Sequence, residues 1–194
     1  MKSSNHPAKG SVIMVEPIRD QKDIKAIKRL LSDQPRDLAL FVVGINTNLR
    51  ASDLVRITIG QVRGKKPMDE IFLVEKKTRN RRRINLNAAC TEAISRYLMA
   101  CPGENEDILF RGQRGPLTPS SLHRLVKGWC RAINLPGNYG AHSLRKTWGY
   151  QQRKQFGVGL PELMVVFGHA TQTQTLAYLC VQAEEVKKVY SNNL

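Results

Sequence analysis

Nowhere does this chain run apolar for the ~20 residues that a membrane span needs. Its first ten residues, Met1 to Gly10, are polar and carry no export signal. Cysteine is scarce and unpatterned. The four residues, Cys90, Cys101, Cys130 and Cys180, form no CxxC unit and have no clustered histidines beside them. That argues against a zinc site or a disulfide frame and for reduced, mostly buried helix residues. No internal repeat and no low-complexity tract interrupts the sequence. Acid is short as well: 16 Asp and Glu face 31 Lys and Arg, leaving a net charge of +15 and a pI near 10.1. Such an excess points to a polyanionic partner, because each phosphate neutralised releases condensed counterions. The shortages together predict a cytoplasmic protein without membrane association that meets nucleic acid.

What is present suffices for one folded domain. The chain has 194 residues, 41% of them hydrophobic, enough for a continuous core. Residues 1–18 lack periodicity and read as a flexible tail in which Val12 to Val15 could dock, and the domain is expected over 19–194. Helices are predicted from Asp20 to Leu31, Arg36 to Asn46 and Ala51 to Ile57. The second, with Leu38 to Val43 apolar on most sides, is expected at the centre of the core. Ile71-Phe72-Leu73-Val74 and Arg83-Ile84-Asn85-Leu86 flank a polar basic tip and read as an antiparallel hairpin, with Ile59 to Val62 as a third strand. Helices resume over Ala88 to Met99, Pro119 to Ile133, Ser143 to Gln155, Pro161 to Phe167 and Gln172 to Leu179, and an amphipathic piece, Ala183 to Tyr190, ends the chain. The expected class is mainly α with a small antiparallel three-stranded β-sheet.

The chemistry-bearing residues fall into patches. His142 and Arg145 share one side of a helix start at i, i+3, where the pair can hold a phosphate's oxygens and move a proton. His169 follows Gly168 at a helix end, and Tyr178 lies nine residues on. A tyrosine is a poor nucleophile at its ordinary pKa of about 10, so it needs cationic neighbours or a base. Arg50 stands where a buried helix gives way to a short one, and its planar fork suits two phosphate oxygens. Asp53, one turn on, is placed to pair with a base or hold that helix start. The hairpin tip, Lys76 to Arg83, packs six cations into eight residues, a cluster that repels itself without an anion. Lys77 rather than Lys76 is expected to face the site, since alternation along a strand points them apart. Each patch alone has a plain reading as caps, core or solvated surface. Together they offer a phosphate clamp, proton-transfer groups and a nucleophile, which is what cutting a phosphodiester without a metal requires.

The ordered set Arg50, Lys77, His142-x-x-Arg145, Gly168-His169, Tyr178 resembles the tyrosine recombinases of the phage-integrase family. Leu49 to Leu54 looks like its first arginine box and Lys77-Thr78 like its hairpin lysine. Ala141 to Thr147 looks like its second box, and Phe167-Gly168-His169 with Thr175 to Leu179 like its third. The resemblance covers roughly residues 20–190. It implies a catalytic domain of that fold and a site-specific recombinase that cuts and rejoins double-stranded DNA through a 3′-phosphotyrosyl intermediate, with no ATP, metal or other cofactor. Arg50, His142 and Arg145 would grip the scissile phosphate, Tyr178 attack, Lys77 protonate the leaving oxygen, and His169 bond the phosphate or orient the tyrosine. Lys76, Arg79, Arg81, Arg82, Arg83 and Lys146 would contact DNA. The protein would be bacterial, phage or mobile-element encoded, a dimer or tetramer on DNA and a monomer when free. Two other functions fit the same boxes: a type IB topoisomerase-like relaxing enzyme, and a DNA-binding accessory protein derived from a recombinase. Two departures stand out. Only about 18 residues precede the first helix, so the family's usual N-terminal core-binding domain is not expected here. Lys146-Thr147-Trp148 also stands where many members carry a histidine and small residues. In the family the segment after the nucleophile often docks on a neighbouring protomer; here Val186 and Val189 beside Lys187 and Lys188 could do so, or pack in cis.

Overall fold

The helix with the least polar sequence sits at the middle of the molecule. In the computed structural model, which describes residues 14–76, 79–113, 115–181, 187, 190 and 191, α2 (Pro35–Asn46) buries Ala39 through Gly44. Proline at its first turn removes an N–H that would have had no partner in any case. α1 (Gln21–Leu30) turns Ile24 and Ile27 inward. α5 (Ala88–Ala100) and α7 (Ala141–Phe156) pack on two sides of α2. Gly44 allows the α7 contact: a Cβ there would stand 2.5 Å from Leu144 Cδ1. Because α7 begins with His142 and Arg145, this approach fixes their distance from the end of α2.

After α2 the chain forms α3 (Ala51–Leu54) and α4 (Ile59–Val62), then the antiparallel hairpin of β1 (Glu70–Val74) and β2 (Arg81–Asn85). Ile71, Leu73 and Ile84 face the core, while Phe72 and Val74 face out. A second small hairpin joins β3 (Arg111–Gly112) to β4 (Gly115–Pro116), followed by α6 (Pro119–Ala132). The last described helices are α8 (Leu160–Phe167) and α9 (Gln172–Leu179).

Several expectations need correction. The described residues hold two separate two-stranded sheets rather than one three-stranded sheet. Ile59 to Val62, read as the third strand, is helix α4. A capping box closes it: Thr58 N–H donates to Gln61 Oε1 at 2.9 Å. The Thr-x-x-Gln spacing carried that signal, and two β-branched apolar residues masked it. β3 and β4 were not foreseen. The helix expected from Ala51 to Ile57 stops at Leu54, since Thr58 then bridges to Ile108. Residues 14–18, read as part of a tail, lie along the domain: Ile18 is fully buried and its N–H donates to Thr147 Oγ1 at 2.8 Å. Only Cys90 and Cys130 are buried helix residues. Cys101 is exposed and Cys180 half-buried, each just past a helix end.

Two cores result. The main one runs from Ile18 to Leu144 through α1–α7. A separate small one, Leu163, Phe167 and Leu179 with Trp148 and Tyr178 against it, holds α8 and α9 on the flank of α7.

Candidate functional site

Five backbone positions, each fixed for a local reason, converge beside the small core. Asn48 ends the α2–α3 turn with φ of 52°, a left-handed conformation that asparagine tolerates. Arg50 then stands at the N-cap of α3. α7 supplies His142 and Arg145 on its first turns. α8 ends in a Schellman motif at Gly168 (φ +67°): Gly168 N–H donates to Val165 O at 3.1 Å and His169 N–H to Met164 O at 3.0 Å. α9, capped by Thr171, carries Tyr178.

The C-terminal end of α8 organises the cluster. A helix leaves its last four carbonyls without helical partners. Two of them, on Met164 and Val165, are closed by the Schellman bonds. The other two receive side chains of the site: Val166 O accepts from Asn48 Nδ2 at 2.9 Å and from Arg82 Nη2 at 3.0 Å, and Phe167 O accepts from Arg145 Nη2 at 2.8 Å. Cations at this pole are also favoured by the helix dipole.

Arg145 is 3% exposed, and its Nη1 is buried with no hydrogen-bond partner among the described residues. Burial pushes its pKa down to about 10, with the charges of Arg82 and Arg50 pressing the same way. Its guanidinium carbon lies 5.3 Å from the Phe167 ring centre and 5.9 Å from that of Tyr178. His169 stacks on Phe167 at 4.9 Å and meets Tyr178 edge-on at 5.3 Å. Its Nδ1 lies 3.0 Å from the Thr175 hydroxyl, which leaves Nε2 for a substrate. Burial, then Arg145 and Arg50, hold the His169 pKa below its ordinary value. Partial burial, then Arg145, Lys146, His123 and Arg50, do the same for His142. Burial holds the Tyr178 phenol pKa above its ordinary value, with Arg145 and Arg50 pulling against it. Tyr178, His142, His123 and Lys146 line an open depression of about 570 Å³, with Met14 and Val15 on its wall. A larger hollow, about 670 Å³, between Arg36, Arg124 and Trp129, contains none of these groups.

Arg50, His142, Arg145, His169 and Tyr178 are thus brought together; Lys77 lies outside the described residues. The proposed DNA contacts divide. Lys76, Arg79, Arg81 and Arg83 are exposed, Arg83 with Glu70 3.3 Å from its Nε. Arg82 and Lys146 are built into the site. Arg82 is held by Glu75 and Val166 O. Lys146, 6% exposed, lies 5.3 Å from the Tyr178 ring centre and 3.2 Å from Cys180 Sγ. Asp53, 2% exposed, accepts the backbone N–H of Lys76 at 2.9 Å and so pins the hairpin beside Arg50. Glu75, Asn48 and Thr175 were missed in the sequence. Glu75 could have been suspected as the only acid in a run of cations.

Comparison with known proteins places the chain in a family. Residues 19–185 match the phage integrase family. A probable integrase/recombinase of Bacillus subtilis, YoeC, is 30% identical over 182 residues, which is 91% of this chain and 96% of that protein. The tyrosine recombinase XerC of Caldanaerobacter subterraneus subsp. tengcongensis is 30% identical over 81% of this chain, but the chain spans only 45% of that relative. Among solved structures, XerA recombinase aligns with a TM-score of 0.73 at 19% identity, over 96% of this chain and 65% of its own. The XerH site-specific recombinase bound to palindromic difH substrate gives 0.74 at 18%, over 96% and 56%. At these identities the structural likeness is one of fold.

Proposed function

The chain belongs to the phage integrase family, and from that premise we propose that it is a tyrosine-type site-specific DNA recombinase. The observation that carries this reading is the buried Arg145 beside Tyr178. Its Nη1 lacks a hydrogen-bond partner among the described residues, and its pKa is depressed by burial. A buried cation with an unpaired N–H is costly, and a phosphate oxygen would relieve it.

Arg50, Arg145 and His142 hold the scissile phosphate and stabilise the charge that grows on its oxygens. Tyr178 Oη attacks phosphorus; the new P–O bond forms as the bond to the 5′ oxygen breaks. DNA is left on the protein through a 3′-phosphotyrosyl link, with a free 5′-hydroxyl. The phenol proton passes to a neutral imidazole of the cluster, and the low pKa directions of both histidines keep those rings available as acceptors. His169, steadied by Thr175, also hydrogen-bonds a phosphate oxygen. Lys77, by the family resemblance, protonates the 5′ oxygen, a role typically worth about 10²–10⁴-fold. Attack by another strand's 5′-hydroxyl reverses these steps and rejoins DNA. The link conserves bond energy, so the cycle needs no ATP, and the cationic clamp takes the role a divalent metal has elsewhere. Double-stranded DNA is the substrate, on which two or four copies assemble.

A nicked suicide duplex tests the proposal by trapping the covalent protein–DNA adduct. Tyr178→Phe should bind DNA within about twofold of wild type and form no adduct. A Phe variant that still cleaves refutes the assignment. Relaxation of any supercoiled plasmid without strand exchange would favour a type IB topoisomerase-like activity instead.

A further inference from the structure

One buried acid lies inside this cationic cluster, and the chemistry above gives it no role. Glu75 is 7% exposed and follows directly on β1. Its Oε1 lies 2.5 Å from Arg50 Nη1 and 3.1 Å from Arg82 Nη1. Its backbone is fixed as well: Glu75 N–H donates to Asn80 O at 3.0 Å, and Glu75 O accepts from Arg79 N–H at 2.9 Å. The carboxylate therefore projects from a residue whose backbone N–H and C=O are both paired.

Resting on the recombinase reading, we infer that Glu75 is a positioning residue for Arg50. Arg50 sits at the N-cap of a four-residue helix, where packing along the helix does little to hold a long side chain. Its Nη1 is buried and ion-paired with Glu75 Oε1, without hydrogen-bond geometry to any described residue, yet the side chain keeps 21% of its surface exposed. One nitrogen of the fork is thus tied inward, and the remainder is what a phosphate can reach. Arg82 gives the carboxylate a second cation and carries the tie onward to Val166 O. The next carbonyl, of Phe167, holds Arg145. One chain of contacts thereby sets both phosphate-binding arginines relative to each other and to the hairpin.

The charge of Glu75 separates this role from simple phosphate binding. A carboxylate beside an arginine opposes an incoming anion, so its presence does not raise affinity for DNA. Its benefit falls on geometry, which governs the chemical step. Loss of Glu75 should therefore slow cleavage while leaving binding intact or tighter. A role confined to holding the fold would weaken both.

The experiment compares wild type with Glu75→Gln, which keeps the shape and removes the charge. Adduct formation on the suicide duplex under single-turnover conditions should fall about 10- to 100-fold. The DNA dissociation constant should stay the same or tighten by up to about threefold. Separately, in the DNA-free proteins, the Arg50 Nε–H resonance should be sharp in wild type and broadened in the variant. Wild-type cleavage by Glu75→Gln, rate and affinity lost in the same proportion, or an unchanged Arg50 resonance each overturn the inference. A wild-type protein that forms no adduct on any duplex would sink the recombinase reading instead, and the resonance would still decide whether Glu75 holds Arg50.

Discussion

His142 and His169 face the same cations as the phenol they flank, and their titration carries a consequence for binding. In the free protein, burial followed by Arg145 lowers both pKa values, so both rings are neutral at neutral pH. For the fold alone, a depressed histidine contributes stability that is present above its unfolded value and is lost as pH falls through the folded one. A bound phosphate offsets the local field, so as pH falls below neutrality the complex takes up protons sooner than the free protein, while at neutral pH a neutral ring remains to accept the phenol proton. Affinity for DNA should therefore rise as pH drops from about 7.5 to about 5.5, while net proton uptake accompanies binding. Titration calorimetry in buffers of different ionisation enthalpy measures that uptake, and a double His142→Gln, His169→Gln variant should lose it. At this scale the sequence was legible where partners are close along the chain: His142 and Arg145 are a helical pair three residues apart. It was not legible where the partner is remote. Asn48 bonds Val166 at a separation of 118 residues, and Arg82 bonds the same carbonyl at 84. Arg82 and Lys146 looked like surface cations because a sequence shows charge but not what covers it.

The elements were legible to the extent that their apolar period was long. α2, α5, α6 and α7 stand close to their expected bounds, because each presents several turns of pattern. α4, whose type was misread, has four residues, too few for either a period of 3.6 or of 2 to declare itself. Packing between elements followed from features with no periodic signature. Gly149, on α7, leaves room for the Phe167 ring, and an added Cβ would stand 2.9 Å from its Cε2 and 3.2 Å from Leu179 Cδ2. Phe167 stacks on His169, touches the Tyr178 ring and holds Arg145 through its carbonyl. Gly149→Ala should cost about 1–3 kcal/mol by overpacking, despite alanine's better helix propensity. Adduct formation should suffer more than stability does, since the displaced ring carries three groups of the site. Denaturant melts beside single-turnover assays check this; equal activity with unchanged melting would show that α8 shifts freely.

Over the whole molecule, the +15 net charge indicated a polyanionic partner, but not how the charge is arranged. Part of it is turned inward, where Glu75, Val166 O and Phe167 O hold arginines away from the open surface. The division of the interior into two cores was equally hidden, because hydrophobic periodicity marks what is buried and not against what. That division orders what heating does. Tyr178 on α9 and His169 in the link from α8 depend on a core with three fully enclosed side chains, while Arg50 and the start of α7 belong to the large one. The smaller core has less apolar surface to lose and should open at lower temperature. Inactivation should therefore precede melting: the half-point of adduct formation should fall several degrees below the calorimetric Tm, and activity should return on cooling from the interval between them. Coincident half-points would mean that the two cores melt as one. A protein built this way stops cutting before it loses its shape, so heat stress would leave it folded but chemically silent.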